Sequence, residues 1–173
     1  MKKILLVFFC IFFFGKSYAT VGHNDTIYWY AGSQLDFLDF RALPDTASAN
    51  DAISSITIDY EYSQIMSSKQ IVRVSVFCYF NKQQSWIKKK DSSLLNHEQE
   101  HFNLAELYTR KFRKKISEYF TQNKTGSFEA IQKLYFDIRA AYEAQAMLYD
   151  AATEHSKNKK LQVEWNEKIR QKG

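Results

Sequence analysis

The chain has 173 residues, of which 24 are Lys or Arg and 19 are Asp or Glu, and its formal net charge is +5. Three lysines lie in an N-terminal leader, so the rest of the chain carries 21 basic and 19 acidic residues, a net charge near +2. This balance does not indicate a nucleic-acid-binding protein. The clustered lysines and arginines are more typical of solvated helix faces, and we expect no nucleic-acid partner.

Residues 1–19 have the layout of a secretory signal peptide. Two lysines precede an apolar run from Ile4 to Phe14, and a small-residue pattern ends at Ala19. The apolar run is shorter than the roughly 20 residues that span a bilayer. The pattern therefore predicts cleavage after Ala19 and export to the periplasm or beyond, without a stable membrane anchor.

Residues 20–173 are long enough for a single domain with its own core. Cys78 is the one cysteine of this part of the sequence, so no internal disulfide is expected. It alternates with apolar residues in a strand-like run, which predicts a buried thiol. The sequence does not determine the oligomeric state.

The predicted elements are strands followed by helices, which indicates an α+β fold with a small antiparallel sheet packed on a long helix. A short strand is predicted near residues 27–30, and residues 41–55 are expected to form a surface loop that walls a cleft. Alternating apolar residues predict a hairpin from strands at 56–62 and 71–80. Helical spacing predicts helices at about 93–120, with Ser92 or Ser93 as its cap, at 127–155, with Ser127 as its cap, and at 161–170.

The strongest motif is His97-Glu98-Gln99-Glu100-His101, which reads H-E-x-x-H at the start of the long predicted helix. Residues four apart lie on the same face of a helix, so both imidazoles can reach one zinc ion. Glu98 between them is the residue that takes a proton from water in zinc hydrolases with this motif. The alternative is an exposed charged helix with two incidental histidines.

A catalytic zinc site needs a third protein ligand. The sequence has no H-x-x-G-x-x-H continuation, because Leu104 and Leu107 occupy the glycine and histidine positions. His155 is the better candidate, since an antiparallel second helix returns its far end to the level of the motif. Glu129 and Glu143 are alternatives on that helix.

The chain resembles an uncharacterised bacterial family of predicted secreted zinc-dependent proteases, domain of unknown function 922. The resemblance covers most of residues 20–173 and is carried by several segments. They are Ile27-Tyr28-Trp29, Asp39-Phe40-Arg41, Pro44-Asp45, Ser85-Trp86, residues 94–102, Tyr149-Asp150, Thr153, His155, Gln162, Trp165 and Asn166. It implies a zincin-like metallopeptidase fold and makes His155 the third zinc ligand, as part of a Tyr-Asp-x-x-Thr-x-His signature.

Two positions depart from the family pattern. Glu100 stands where a small residue, usually glycine, is common, and Ser156 replaces a glycine. Glu100 adds bulk and charge beside a ligand, where it can point away from the zinc, orient a histidine or narrow the cleft. The simplest expectation is that it points away.

The sequence-based hypothesis is a secreted zinc metallopeptidase acting on peptides or proteins, in which His97, His101 and His155 hold Zn²⁺. Glu98 would be the general base and then the proton donor to the leaving amine. Tyr149 or Tyr142 would stabilise the oxyanion. Asp150 would orient a histidine or serve as a ligand, and the orienting role is preferred.

Two rivals stand beside this hypothesis. A binding module could keep zinc for structure and lack turnover, which a fourth protein ligand such as Asp150 or Glu154 would favour. A zinc amidase could act on cell-wall material with the same residues. The sequence does not separate peptides from other amides.

Overall fold

The computed structural model describes residues 25–172, so the predicted signal peptide at 1–19 lies outside the described residues. Within these residues five strands precede three α-helices; the sequence predicts this order, but only three of the five strands. The strands are β1 (Thr26–Tyr28), β2 (Ala52–Ile53), β3 (Ile56–Gln64), β4 (Ile71–Asn81) and β5 (Trp86–Ile87), and the helices are α1 (Ser92–Gln122), α2 (Phe128–Thr153) and α3 (Lys159–Lys172). The α+β class with a small antiparallel sheet is thus confirmed. None of the helices in the described part of the chain is long and apolar enough to cross a membrane.

The main sheet is antiparallel, with strand order β1-β4-β3. The predicted hairpin is confirmed, and its register pairs Ile58 with Cys78 and Tyr60 with Val76. Alternation along β4 turns Val76, Cys78 and Phe80 to the buried face. This face packs on α1, where Phe80 contacts Phe102 with ring centroids 6.2 Å apart.

The helix α1 is longer than predicted and begins at a different cap. Asp91 is its N-cap, and the Asp91 carboxylate accepts hydrogen bonds from the backbone of Ser93 and Leu94. The prediction that Ser92 or Ser93 caps the helix was therefore wrong. Asp accepts as well as Ser at this position, and its charge also favours the positive end of the helix dipole. The predicted Ser127 cap of α2 is confirmed.

A buried carboxylate joins α1 to the sheet. Glu106 is 4% exposed, and it accepts hydrogen bonds from Arg110 at 3.0 Å and from Arg113 at 2.7 Å. Arg113 also donates to the backbone oxygen of Val76 in β4 at 2.9 Å. The two guanidinium groups compensate the buried charge, and the bond to Val76 fixes where α1 crosses the strand.

The segment predicted as a loop at 41–55 contains a strand that the sequence analysis missed. Its last part, β2, pairs with β5 in a two-stranded sheet, with Ala52 opposite Ile87 and Ile53 opposite Trp86. Strands of two residues carry no readable alternation, so periodicity could not reveal them. This small sheet lies beside the first turns of α1 and shapes the cavity described below.

The buried thiol predicted from the strand pattern is confirmed and gives a chemical prediction. Cys78 is 2% exposed, its Sγ lies 3.5 Å from Oε2 of Glu106, and burial raises the pKa of the thiol from 9.0 to about 12. The thiol therefore stays protonated at pH 8, with roughly a thousandfold less thiolate than an ordinary cysteine.

We expect iodoacetamide to leave Cys78 unmodified in the native protein at pH 8 and to modify it rapidly in urea. Mass spectrometry of the peptide that contains Cys78 measures both rates. Equal modification with and without urea would contradict the buried position.

Candidate metal centre

Two histidines and an aspartate meet where the first turns of α1 face the end of α2. His97 and His101 lie one turn apart on α1, and their Nε2 atoms are 3.2 Å apart. Oδ1 of Asp150, near the end of α2, lies 3.1 Å from Nε2 of His97 and 2.8 Å from Nε2 of His101. Three ligand-type atoms therefore converge on one point.

These atoms are of the types that bind metal ions. Donor atoms in a tetrahedral zinc site lie about 2.0–2.2 Å from the ion, so they are roughly 3.3–3.5 Å from one another. The three distances in the cluster, 2.8–3.2 Å, are those of hydrogen bonds and are shorter than that by about 0.1–0.7 Å. Imidazole nitrogen and carboxylate oxygen are both donors that zinc accepts in proteins. The donor set thus fits Zn²⁺, and the three atoms would have to separate by a few tenths of an ångström to hold the ion.

His155 lies in the same cavity at a greater distance. Nδ1 of His155 is 3.6 Å from Oδ1 of Asp150, and its side chain is 57% exposed. One donor atom from each of His97, Asp150 and His155 lies within 4.8 Å of the others. The structure brings together all three histidines predicted as ligands, and it places Asp150 closer to the pair on α1 than His155 is.

Asp150 occupies a different place from the one preferred on sequence grounds. A carboxylate that orients a metal-binding histidine contacts the ring nitrogen that does not face the metal. Asp150 instead contacts Nε2 of both histidines, where the ligand atoms converge. This position suits a ligand rather than an orienting group. The alternatives Glu129 and Glu143 line other cavities, and Glu143 pairs with Arg139 at 2.8 Å.

The orienting group for His97 is Gln162 of α3, a residue to which the sequence analysis gave no role. Oε1 of Gln162 lies 3.1 Å from Nδ1 of His97. The Gln162 amide nitrogen donates to the Tyr149 hydroxyl at 2.5 Å and to Oδ1 of Asn166 at 2.7 Å, so its oxygen faces the histidine. Nδ1 of His97 therefore carries a proton that Gln162 accepts, which leaves Nε2 directed at the cluster. In the sequence, Gln162 and Asn166 are noted only as two of the residues that carry the family resemblance.

Tyr149 supports the cluster from within the core. It is 0% exposed, its ring stacks on His97 with centroids 4.6 Å apart, and its hydroxyl donates to the backbone oxygen of His97 at 3.2 Å. The Tyr149 hydroxyl is directed to the interior of the fold, which does not suit the oxyanion donor role expected from the sequence. Tyr142 does line the cavity, and burial raises the pKa of its hydroxyl, which stays protonated.

Glu98 is 5% exposed and lines the cavity together with the histidines. The Ser54 hydroxyl donates to Oε2 of Glu98 at 2.5 Å. Ser54 follows β2, so the segment predicted as the wall of a cleft does form one side of this cavity of about 150 Å³. No sequence signal pointed to Ser54, because its contact spans 44 residues of chain.

Charge in the cluster is balanced within the protein. Burial raises the pKa of the Asp150 carboxyl, but the hydrogen bonds from His101 and His97 outweigh burial and hold that pKa below its ordinary value. Burial lowers the pKa of His101. The hydrogen bond to Asp150 and the negative charge of Glu98 act in the opposite direction and outweigh burial, so the pKa of His101 is raised. His101 and Asp150 thus form an ion pair, with Nε2 and Oδ1 2.8 Å apart.

The neighbouring Glu100 does not line this cavity. It lines a second cavity of about 410 Å³ across α1, together with Trp29, Asn103 and Arg170. Burial raises the pKa of its carboxyl. Glu100 thus points away from the cluster, which is the simplest of the three arrangements considered from the sequence.

Residues 79–156 match the model of a family described as a bacterial protein of unknown function (DUF922). The match covers just under half of the chain and includes the motif, Asp150 and His155. Neither the curated proteins nor the solved structures include a match to this chain. The chain is therefore similar to a bacterial family whose description names no activity.

The turn after α2, which carries His155, has an unusual backbone. Glu154, His155 and Ser156 have φ values of 51°, 50° and 76°, all in the left-handed region. For a residue with a Cβ, this conformation destabilises the folded state by about 1–2 kcal/mol. For glycine the cost is only its larger loss of conformational entropy on folding, about 0.5–1 kcal/mol.

We expect Ser156→Gly to stabilise the protein by about 0.5 kcal/mol because it relieves this cost. Ala144→Gly, at an exposed position inside α2, is the matched control and should destabilise by about 1 kcal/mol. Urea unfolding monitored by circular dichroism measures both changes. A loss of stability in Ser156→Gly would contradict the left-handed conformation.

Proposed function

We propose that the protein is an exported zinc-dependent hydrolase of peptide bonds with a zincin-like arrangement of its site. The observation that carries the proposal is the convergence of His97, His101 and Asp150, with atoms 2.8–3.2 Å apart, in a cavity that Glu98 also lines. A purely structural site has no need of a carboxylate at Glu98. The proposal makes His97 and His101 ligands, with Asp150 and His155 as the candidates for the third.

Zinc bound by these residues would polarise a substrate carbonyl and lower the pKa of a coordinated water to about 7. Glu98 is the proton acceptor in the proposal. Because the Ser54 hydroxyl occupies Oε2, we assign Oε1 as the atom that takes the proton and returns it to the leaving amine. The Tyr142 hydroxyl, protonated and facing the cavity, is the donor assigned to the developing oxyanion.

The strand β2 supports a peptide as substrate. Ala52 and Ile53 line the cavity, and within residues 25–172 the only strand that pairs with β2 is β5. An extended peptide can add its backbone to such a strand beside the cluster. This feature favours a peptide over the cell-wall amides that the same residues could hydrolyse.

A zinc-binding module without turnover is the second candidate. Its supporting observation is that Asp150 and His155 both lie near the pair on α1, so four protein ligands could close the coordination sphere. A closed sphere leaves no position for water or substrate. The number of ligands therefore distinguishes an enzyme from a structural site.

Zinc affinity of ligand variants tests this point. We expect one zinc per chain, a loss of affinity of at least a hundredfold in Asp150→Ala, and a smaller loss, about tenfold, in His155→Ala. Competition with a chromogenic chelator measures these affinities. Equal, large losses in both variants would favour the closed site, and absence of zinc from the native protein would contradict both candidates.

Hydrolysis by two neighbouring glutamate variants tests the proton acceptor. We expect Glu98→Gln to retain zinc and to lose at least a hundredfold in the rate of cleavage of an unfolded protein substrate. Glu100→Gln is the matched control, because Glu100 lines the cavity on the other side of α1, and it should stay within a few-fold of the native rate. Full activity in Glu98→Gln would refute the assigned role.

A further inference from the structure

We infer that the cavity on the other side of α1 from the metal cluster is a binding site for a free amino acid with an apolar side chain. Its volume is about 410 Å³, against about 150 Å³ for the cavity beside the cluster. Small-molecule sites in proteins occupy roughly 300–1,000 Å³. The loop after β1, the helix α1 and the helix α3 each supply part of the lining, and the residues of the metal cluster are not among it. This inference therefore does not depend on the proposed hydrolase.

Glu100 supplies a carboxylate that lacks a matching cation. Its side chain is half-buried in the cavity wall, and burial is the main cause that raises the pKa of its carboxyl. The Asn103 amide and the charge of Arg170 act in the opposite direction, but burial outweighs both. A positively charged group of a ligand, placed in the cavity, would offset the cost of burying this carboxylate.

Arg170 supplies the opposite charge from α3. It lines the same cavity, yet among the ion pairs within 4.0 Å of the described side chains none includes Glu100 or Arg170. The two other charged residues of the lining, Glu106 and Arg110, pair with each other at 3.0 Å. An ammonium group beside Glu100 and a carboxylate beside Arg170 would match the remaining charges. An amino acid carries both groups on one carbon atom.

Carboxamides of α1 hold the polar wall of the cavity in place. Oε1 of Gln99 accepts a hydrogen bond from the backbone of Leu35 at 2.7 Å, and its Nε2 donates to Oδ1 of Asn103 at 3.1 Å. Oδ1 of Asn103 also accepts from the indole N–H of Trp29 at 3.1 Å. These bonds tie the loop after β1 to the helix in the absence of a ligand. Binding therefore orders few additional groups, which favours affinity for a small molecule.

Apolar side chains complete the lining and indicate the kind of amino acid. Leu107 of α1 and Ile169 of α3 are 7% and 5% exposed, and the ring of Trp29 lines the cavity from the loop after β1. Apolar ligand surface that leaves water in contact with them favours binding. A branched aliphatic side chain such as that of leucine fits this lining better than a polar side chain.

Isothermal titration calorimetry with leucine tests the site. We expect the purified protein to bind leucine, and Glu100→Gln or Arg170→Gln to weaken binding at least about tenfold, because each variant removes one charged contact. Glu167→Gln, an exposed position of α3 outside the cavity, is the matched control and should bind within about twofold of the native protein. Circular dichroism checks that the variants fold. Absence of binding at about 5 mM leucine, or native affinity in both charge variants, overturns the inference.

Ligands that lack one charge test which group meets which residue. Acetylation of the leucine amine should weaken binding to the native protein at least about tenfold and should have little further effect in Glu100→Gln. Conversion of the carboxylate to an amide should behave in the same way with Arg170→Gln. Losses that multiply in full for both pairs would show that these groups do not meet, and would overturn the assigned orientation.

A second measurement locates the ligand, because an amino acid can also coordinate a metal ion. In nitrogen-15 NMR spectra, leucine should shift the indole N–H signal of Trp29, which Trp29→Phe identifies, and leave that of Trp86 in β5 unchanged. Leucine binding that is lost in Asp150→Ala and retained in Glu100→Gln would place the amino acid at the metal cluster. That result would overturn the inference and leave the proposed hydrolase untouched.

Discussion

The buried amide of Gln162 is the contact on which the arrangement of the three helices depends. It lies in α3, its oxygen contacts the ring of His97 in α1, and its nitrogen donates to the hydroxyl of Tyr149 in α2. Both partners are almost fully buried, so an unmatched donor or acceptor here would cost about 1–3 kcal/mol. These hydrogen bonds therefore restrict the register in which the three helices pack. That same register directs Nε2 of His97 at Asp150.

The helix α1 serves the core and the site with different faces. Phe102, Ala105 and Phe112 pack in the core with the apolar side of β4, and the Glu106 ion pairs fix the crossing of the helix over that strand. The histidines lie on the side that faces α2. The core residues and the Glu106 ion pairs hold α1 against the sheet. The position of the two histidines along α2 is therefore fixed. A rigid support of this kind is what a ligand set needs to keep its geometry.

The sequence predicted the elements in which apolar residues recur at a regular spacing. The hairpin, the long helices and the buried Cys78 follow from alternation and helical spacing, and the H-E-x-x-H motif predicted which face of α1 carries the histidines. Contacts between distant segments could not be read in this way. The Ser54–Glu98 bond spans 44 residues and the Gln162–His97 contact spans 65, and neither leaves a local pattern. The position of Asp150 could not be predicted for a similar reason, since the direction of a carboxylate depends on how two helices meet.

The wide separation of the site residues along the chain also has a kinetic consequence. The β3–β4 hairpin and the helices form from local contacts, whereas the cluster joins segments 53 and 65 residues apart. Closing such loops lowers the entropy of the chain, and we expect the contacts made when α3 packs to offset this loss. A growing chain thus contains the histidine helix long before it contains the cluster. Because Gln162 of α3 orients the His97 ring, we expect the cluster to reach its final geometry only after α3 has docked.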